Sequence, residues 1–194
     1  AFPTTTTISG IAPAGGVVVG QPYTVSVLVT GPLLRGSPIG IGQVEVRQLS
    51  DGASCTIDLS LASSCSLTPG TALTTAVRAY YLGSGSLQPS QSSAQAYPVS
   101  RANTAIQIVS DTPDPSLAGE PVLVTVSLGV VAPGAGTPTG EVLVTDGIAS
   151  CGFSLPNLSC LLGTKALGAA TLEARYLGDA NFNASLDTES HTIT

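Results

Sequence analysis

The chain has 194 residues, with no Met, no Trp, one His, one Lys and only 9% charged side chains. One imidazole and one amine leave almost no inventory for general acid–base or Schiff-base chemistry. Serines are plentiful, but no G-x-S-x-G elbow is present and no second His stands by to act as base. Basic residues form no stripe, which excludes a nucleic-acid groove, and no polybasic cluster suits an anionic membrane. The longest uncharged apolar stretch, from Pro121 to Gly136, alternates like a strand and breaks at Gly129, Pro133, Gly134 and Gly136. It is too short for a spanning helix. Gly134-Ala135-Gly136 has neither the third glycine nor the following helix of a phosphate loop and is read as a loop tip. A chain without Met is expected to be a processed piece of a longer one. No secretory signal or lipidation motif is visible at Ala1.

What is there is apolar and small: 43% hydrophobic residues, 22 Gly and 14 Pro. That apolar content excludes disorder, which requires low hydrophobicity with high net charge. The net charge of −6 falls entirely in the second half, because the acids and bases of residues 1–100 cancel.

The chain repeats itself. Gly20-Gln21-Pro22-Tyr23-Thr24-Val25 is echoed by Gly119-Glu120-Pro121-Val122-Leu123-Val124, and Gly42-Gln43-Val44-Glu45-Val46 by Gly140-Glu141-Val142-Leu143-Val144. Asp51-Gly52 recurs as Asp146-Gly147, Ser54-Cys55 as Ser150-Cys151, Ser64-Cys65 as Ser159-Cys160, and Ala79 through Gly83 as Ala174 through Gly178. The matches keep their order at offsets of about 95–99 residues. Two copies of one domain are expected, at 1–100 and 101–194, with only a few residues free as linker and hence a stiff joint.

Each copy reads as strands. Val25, Val27 and Val29 share one face against Thr24, Ser26 and Thr30, and Leu172, Ala174 and Tyr176 alternate with Glu173 and Arg175. Period-two patterning with Gly/Pro punctuation and no 3.6-residue period indicates antiparallel strands with one wet face. About seven strands in this length is the size of an immunoglobulin-like β-sandwich, so the expected class is all-β with two tandem sandwiches.

The four cysteines fall as one local pair per copy. Of the three possible connectivities, only Cys55–Cys65 with Cys151–Cys160 respects the duplication. The spacing suits a cross-strand bond within a hairpin, with Cys55 on the face of Ile57 and Leu59. Zinc-binding cysteines would stand closer together and bring further ligands. Disulfides imply an oxidising place: cell surface, medium or periplasm.

Each copy resembles the bacterial immunoglobulin-like (Big) repeats found in tandem in large surface and secreted bacterial proteins. The resemblance rests on the GQP-V strand, the PTG-(T/E)-V strand ending in DG, and the closing L-x-A-x-Y-x-GD-x-x-F-x-x-S. The second copy carries these as Gly119-Glu120-Pro121, Pro138 through Val142, Asp146-Gly147, and Leu172 through Ser185 with Gly178-Asp179-Ala180-Asn181-Phe182. The first opens on Thr4-Thr5-Thr6-Thr7-Ile8 but has Gly83-Ser84-Gly85-Ser86-Leu87 in place of GDxxF. The Ser-Cys pairs resemble a two-cysteine subset. The resemblance implies a non-catalytic spacer, the stalk of an adhesin-like surface or secreted protein presenting another module. Its partners would be neighbouring repeats of the same parent. It also implies contacts between copies through Asp51 and the 66–71 loop on one side, and the 129–138 and 179–183 segments on the other.

Three site readings accompany it. Asp111, Asp114, Glu120 and Asp146 are candidate calcium ligands at one end of copy two; no other cofactor is expected. Asp179 and Asn181, at the opposite end, are read as turn-formers. His191 is expected to be an exposed or half-buried strand residue without a counterpart in copy one. The alternative function is a ligand-binding module for a glycan or a host or envelope protein. For a glycan platform, Phe2, Tyr80 and Tyr97 are the aromatics with no other assigned role. Tyr81 and Tyr176 are read as core or corner residues.

Overall fold

The computed structural model describes residues 1–31, 38–163 and 167–194. Arg35 and Lys165 lie outside them. The chain divides into two compact units, Ala1–Ser100 and Arg101–Thr194, and all regular structure among the described residues is β.

Among its described residues the second unit has seven strands: β11 (Thr104–Thr112), β12 (Pro121–Val130), β13 (Glu141–Thr145), β14 (Ser150–Ser154), β15 (Ser159–Gly163), β16 (Gly168–Tyr176) and β17 (Ser185–Ile193). They form two sheets, ordered β11-β12-β15 and β14-β13-β16-β17. The chain changes layer between β12 and β13, between β14 and β15 and between β15 and β16, in the manner of an immunoglobulin-like sandwich. The period-two pattern does the sorting. Val122, Val124 and Val126 point into the core from one sheet; Val142, Val144, Leu172, Ala174 and Tyr176 point in from the other.

The first unit repeats this plan with β1 (Thr5–Ala12), β3 (Tyr23–Thr30) and β6 (Ser64–Leu67) in one sheet. The other sheet has β5 (Ser54–Asp58), β4 (Gln43–Gln48), β7 (Thr75–Tyr81), β8 (Ser90–Gln91) and β9 (Gln95–Tyr97). Two more short strands, β2 (Val17–Val18) and β10 (Val99–Ser100), pair in parallel. The single last strand of the second unit is thus three fragments in the first. Pro98, which has no N–H to donate, separates β9 from β10. The duplication reaches fine detail: β1 is bulged between Ile8 and Gly10 against β3, and β11 between Ile108 and Ser110 against β12.

Each sandwich has two open flanks where an edge strand of one sheet passes an edge strand of the other. One flank is closed by sulfur. Cys55 on β5 bonds Cys65 on β6 across a Cα–Cα distance of 6.1 Å, and Cys151 on β14 bonds Cys160 on β15 across 6.0 Å. These strands belong to different sheets, so the bond is an inter-sheet clip and not the hairpin bond suggested by spacing alone; a separation of ten residues does not distinguish the two. Each cysteine stands opposite a fully buried valine, Val46 and Val25 in the first unit and Val144 and Val124 in the second. The clips are therefore anchored on the two inner walls.

The other flank is closed by hydrogen bonds. In the first unit the Thr4 and Thr6 hydroxyls both meet Ser90 Oγ at 2.7 Å. In the second, Thr104 Oγ1 donates to Ser185 Oγ at 2.8 Å and Ile108 N donates to Asp187 Oδ2 at 2.8 Å.

Replacing Cys55 and Cys65 together by Ala is expected to lower the stability of the first unit by about 2.5–3 kcal/mol, the closure entropy of a loop this long. Urea denaturation of the double variant beside the parent checks this, and the second unit's transition should not move.

Candidate functional site

The Asp179 corner lies at the end of the second unit where its chain enters. Gly178 holds φ +81°, and a Cβ there would meet Phe182 O at 2.9 Å, so the turn requires glycine. Asp179 Oδ1 accepts from Asn181 N at 2.7 Å and Phe182 N at 2.8 Å. Its Oδ2 accepts from Thr139 N at 2.8 Å and Thr139 Oγ1 at 2.7 Å. Burial opposes the charge, but these donors outweigh it and hold the carboxyl below the usual range. Tyr176 closes the same corner, donating its hydroxyl to Thr139 O at 2.7 Å. Burial, and then the Asp179 charge, push this phenol up to about 12. The signature aspartate therefore joins the β16–β17 loop to the turn preceding β13.

In the first unit Tyr81 donates to Ile41 O at 3.0 Å and Gly83 holds φ +84°, but no carboxylate is present. There the loop is held by backbone bonds between Ser84 and Leu87.

At the far end of the second unit the structure gathers a different set from the one expected. Asp111 and Asp114 come together, and their third member is His191. Asp146 instead accepts from Ile148 N at 2.9 Å and Ala149 N at 2.6 Å, capping the β13–β14 turn. Glu120 accepts from Leu117 N. The four-carboxylate grouping is corrected accordingly: two turns on the same end of a sandwich need not converge, and short Asp side chains are captured by their own backbone.

His191 is likewise corrected from an exposed or half-buried residue to a core one, 1% exposed. Its Nδ1 lies 2.8 Å from Asp111 Oδ2 and 3.5 Å from Asp114 Oδ1, and its Nε2 lies 2.9 Å from Ser116 Oγ. Asp114 Oδ1 also accepts from Thr192 N at 3.0 Å. Glu189, two residues before His191, has its carboxyl raised by burial and then by the charges of Asp111, Asp187 and Asp114, with His191 opposing.

The Asp111–His191–Ser116 chain has the connectivity of a hydrolase triad, but Ser116 is 1% exposed. Its backbone N–H donates to Thr192 O and its C=O accepts from Thr194 N. A hydroxyl sealed in this way cannot meet a substrate carbonyl.

Strand register supplies the counterpart of His191 that the sequence did not reveal. Val77 pairs Gln95 and Thr75 pairs Tyr97; Leu172 pairs Glu189 and Ala170 pairs His191. Aligning Val77 with Leu172 puts Tyr97 in the place of His191. Val25 pairs Ile11 where Val124 pairs Asp111. Val17 pairs Val99, and Ser116 bridges Ile193. The polar set Asp111, Ser116 and His191 therefore stands where the first unit has Ile11, Val17 and Tyr97. The signal that would have found it is the repeat offset carried through to the last strand.

Tyr97 is removed from the glycan candidates for the same reason. It is buried, stacks on Tyr23 with centroids 4.7 Å apart, and donates to Pro13 O at 2.6 Å. Tyr80 is half-buried beneath the Arg47 guanidinium, 5.1 Å from its ring centroid. Phe2, 43% exposed, remains open. Asp51 holds the turn after β4. It accepts from Gln48 Nε2 at 2.8 Å, and Gln48 accepts from the buried Tyr23 hydroxyl at 2.7 Å. A cleft of about 460 Å³ on the first unit is lined by Ile39, Ile41 and Ser84–Leu87.

No protein-family model and no curated protein sequence matches the chain. Solved structures do match. The chain is similar over 98% of its length to the crystal structure of invasin, a bacterial integrin-binding protein, at 17% identity and a TM-score of 0.59, and spans 39% of that chain. It is also similar to the Yersinia pseudotuberculosis adhesin InvE, at 12% identity and a TM-score of 0.48, covering 100% of this chain and 58% of that one. Fibronectin(III)-like modules of Clostridium thermocellum CbhA match at 16% identity and a TM-score of 0.37, covering 97% and 92%. The chain thus spans well under two thirds of the invasin and InvE structures. The invasin likeness establishes the immunoglobulin-like β-sandwich fold. Among the described residues no helix is long and apolar enough to cross a membrane.

Asp179→Ala is expected to cost the second unit about 2–3 kcal/mol, since charge-assisted hydrogen bonds are lost and backbone donors are left unmet. The carboxyl titrates lower folded than unfolded, so its contribution is complete above about pH 4 and is lost as pH falls through the folded value. Urea melts between pH 2 and 7 should show this loss in the parent and a flatter profile in the variant.

Proposed function

We propose that the chain is a non-catalytic spacer from an adhesin-like bacterial surface or secreted protein, holding another module away from the envelope. The observation that carries this reading is the joint. β10 ends at Ser100 and β11 begins at Thr104, and of the three residues between them Ala102 is wholly buried in the second unit. Its N–H donates to Asn181 O and its C=O accepts from Asn183 N. A connection this short leaves few rotatable bonds, as a strut requires and a tether does not.

The rest of the chemistry agrees. The two disulfides suit a location outside the reducing cytosol, at the cell surface, in the medium or in the periplasm. The Big-type resemblance and the likeness to invasin point to a parent of the same kind, with further repeats as the immediate neighbours.

The test is dimensional and functional together. Small-angle scattering of the isolated chain should return a maximum dimension of about 70–80 Å, from two sandwiches laid end to end at ~3.3 Å per strand residue. A glycan array and a panel of host-cell receptors, integrins included, should give no saturable binding. A folded-back particle of much smaller dimension overturns the spacer reading. Specific capture on either panel replaces it with the ligand-binding alternative.

A further inference from the structure

We infer that Asp111, Asp114 and His191 form a binding site for one divalent transition-metal ion of the zinc type, independent of the spacer reading. One donor atom from each of Asp111, Asp114 and His191 lies within 4.8 Å of the other two. Ligand atoms around a tetrahedral zinc ion with bonds of about 2.0–2.1 Å stand ~3.3 Å apart. The Asp114–His191 pair is already at 3.5 Å. The Asp111–His191 pair, at 2.8 Å, needs only to open from hydrogen-bond to ligand spacing.

The supporting contacts are those a metal-binding histidine uses. Ser116 Oγ lies 2.9 Å from Nε2. A hydroxyl accepts as well as donates, so it holds the ring with its proton on Nε2 and leaves the Nδ1 lone pair for the ion. The Thr192 N–H fixes the Asp114 carboxylate while a lone pair on the same oxygen remains. The Asp114 side chain is 40% exposed whereas that of His191 is fully enclosed, so an ion has an approach from solvent and a rigid inner wall. Three protein ligands leave the fourth position for water. One imidazole with two carboxylates selects zinc-type ions over calcium, which takes six to eight oxygens.

The first unit supplies an independent argument. At the same register positions it places Ile11, Val17 and Tyr97, so a set with neither imidazole nor carboxylate suffices to build this end of the sandwich. Burying an imidazole, a hydroxyl and a carboxylate there is not demanded by the fold and carries a desolvation cost. A bound cation gives that chemistry a use.

The experiment uses the whole chain without any His-containing tag, stripped with chelator and then titrated with Zn²⁺ by calorimetry. Co²⁺ serves as a spectroscopic probe of coordination. One ion per chain is expected, with a cobalt spectrum of low coordination number. Asp114→Asn keeps an acceptor for Thr192 N–H and so keeps the fold, checked by circular dichroism; it is expected to abolish stoichiometric binding. Ser116→Ala, which frees the ring, should weaken binding by about 10–100-fold. The proposal is overturned by the absence of saturable Zn²⁺ binding, by binding that survives Asp114→Asn, or by Ca²⁺ occupying the site as tightly as Zn²⁺.

Discussion

The two sheets of each unit meet face to face through valines, tyrosines and leucines, but that contact does nothing to shut the flanks where edge strand passes edge strand. Apolar packing is non-directional, and a small sandwich held by it alone would be free to shear and to open at its sides. Both copies meet this constraint in the same way, with a disulfide on one flank and side-chain hydrogen bonds on the other. The clip works because each sulfur sits directly opposite a buried valine. Joining the two edges therefore fixes the spacing of the inner walls and not merely of two surface strands.

The hydrogen-bonded flank is where the copies diverge. In the first unit, hydroxyls and a broken last strand complete the contact, and Tyr97 with Tyr23 fills the far end. In the second, one unbroken strand runs the length of the flank; Ser185 and Asp187 are half-buried and His191 and Ile193 buried on one face, with Glu189 exposed between them. The near end of that flank is held by the Asp179 corner and the far end by the His191 cluster. The excess negative charge of the second half is thus not a diffuse property. Much of it is concentrated along one seam and the two turns that bound it.

Strand identity and the two-fold repeat were legible because both are written in local terms: period-two alternation, and blocks such as GQP and GEP that recur in order. Cysteine pairing was legible for the same reason. Its geometry was not, because ten residues of separation fit a hairpin bond and an inter-sheet clip equally well. The His191 cluster was missed because its members come from the end of the first strand, the loop after it and the last strand. No short window of sequence contains them. Asp111 and Asp114 were recognised as a pair, but their partner was sought in the nearest acidic turn. Tyr97 was misread because an aromatic on a fragmented strand shows no alternation to mark it as inward.

One consequence follows from the sulfur clips. An edge strand with unpaired backbone groups is a template for any other strand that reaches it, and tandem copies of one sequence place such strands at high local concentration. β5 and β6, like β14 and β15, are locked against each other within their own sandwich and cannot peel away to exchange with a sister copy. Covalent closure thus acts as a guard on identity, keeping each sandwich built from its own stretch of chain when near-duplicates are crowded beside it.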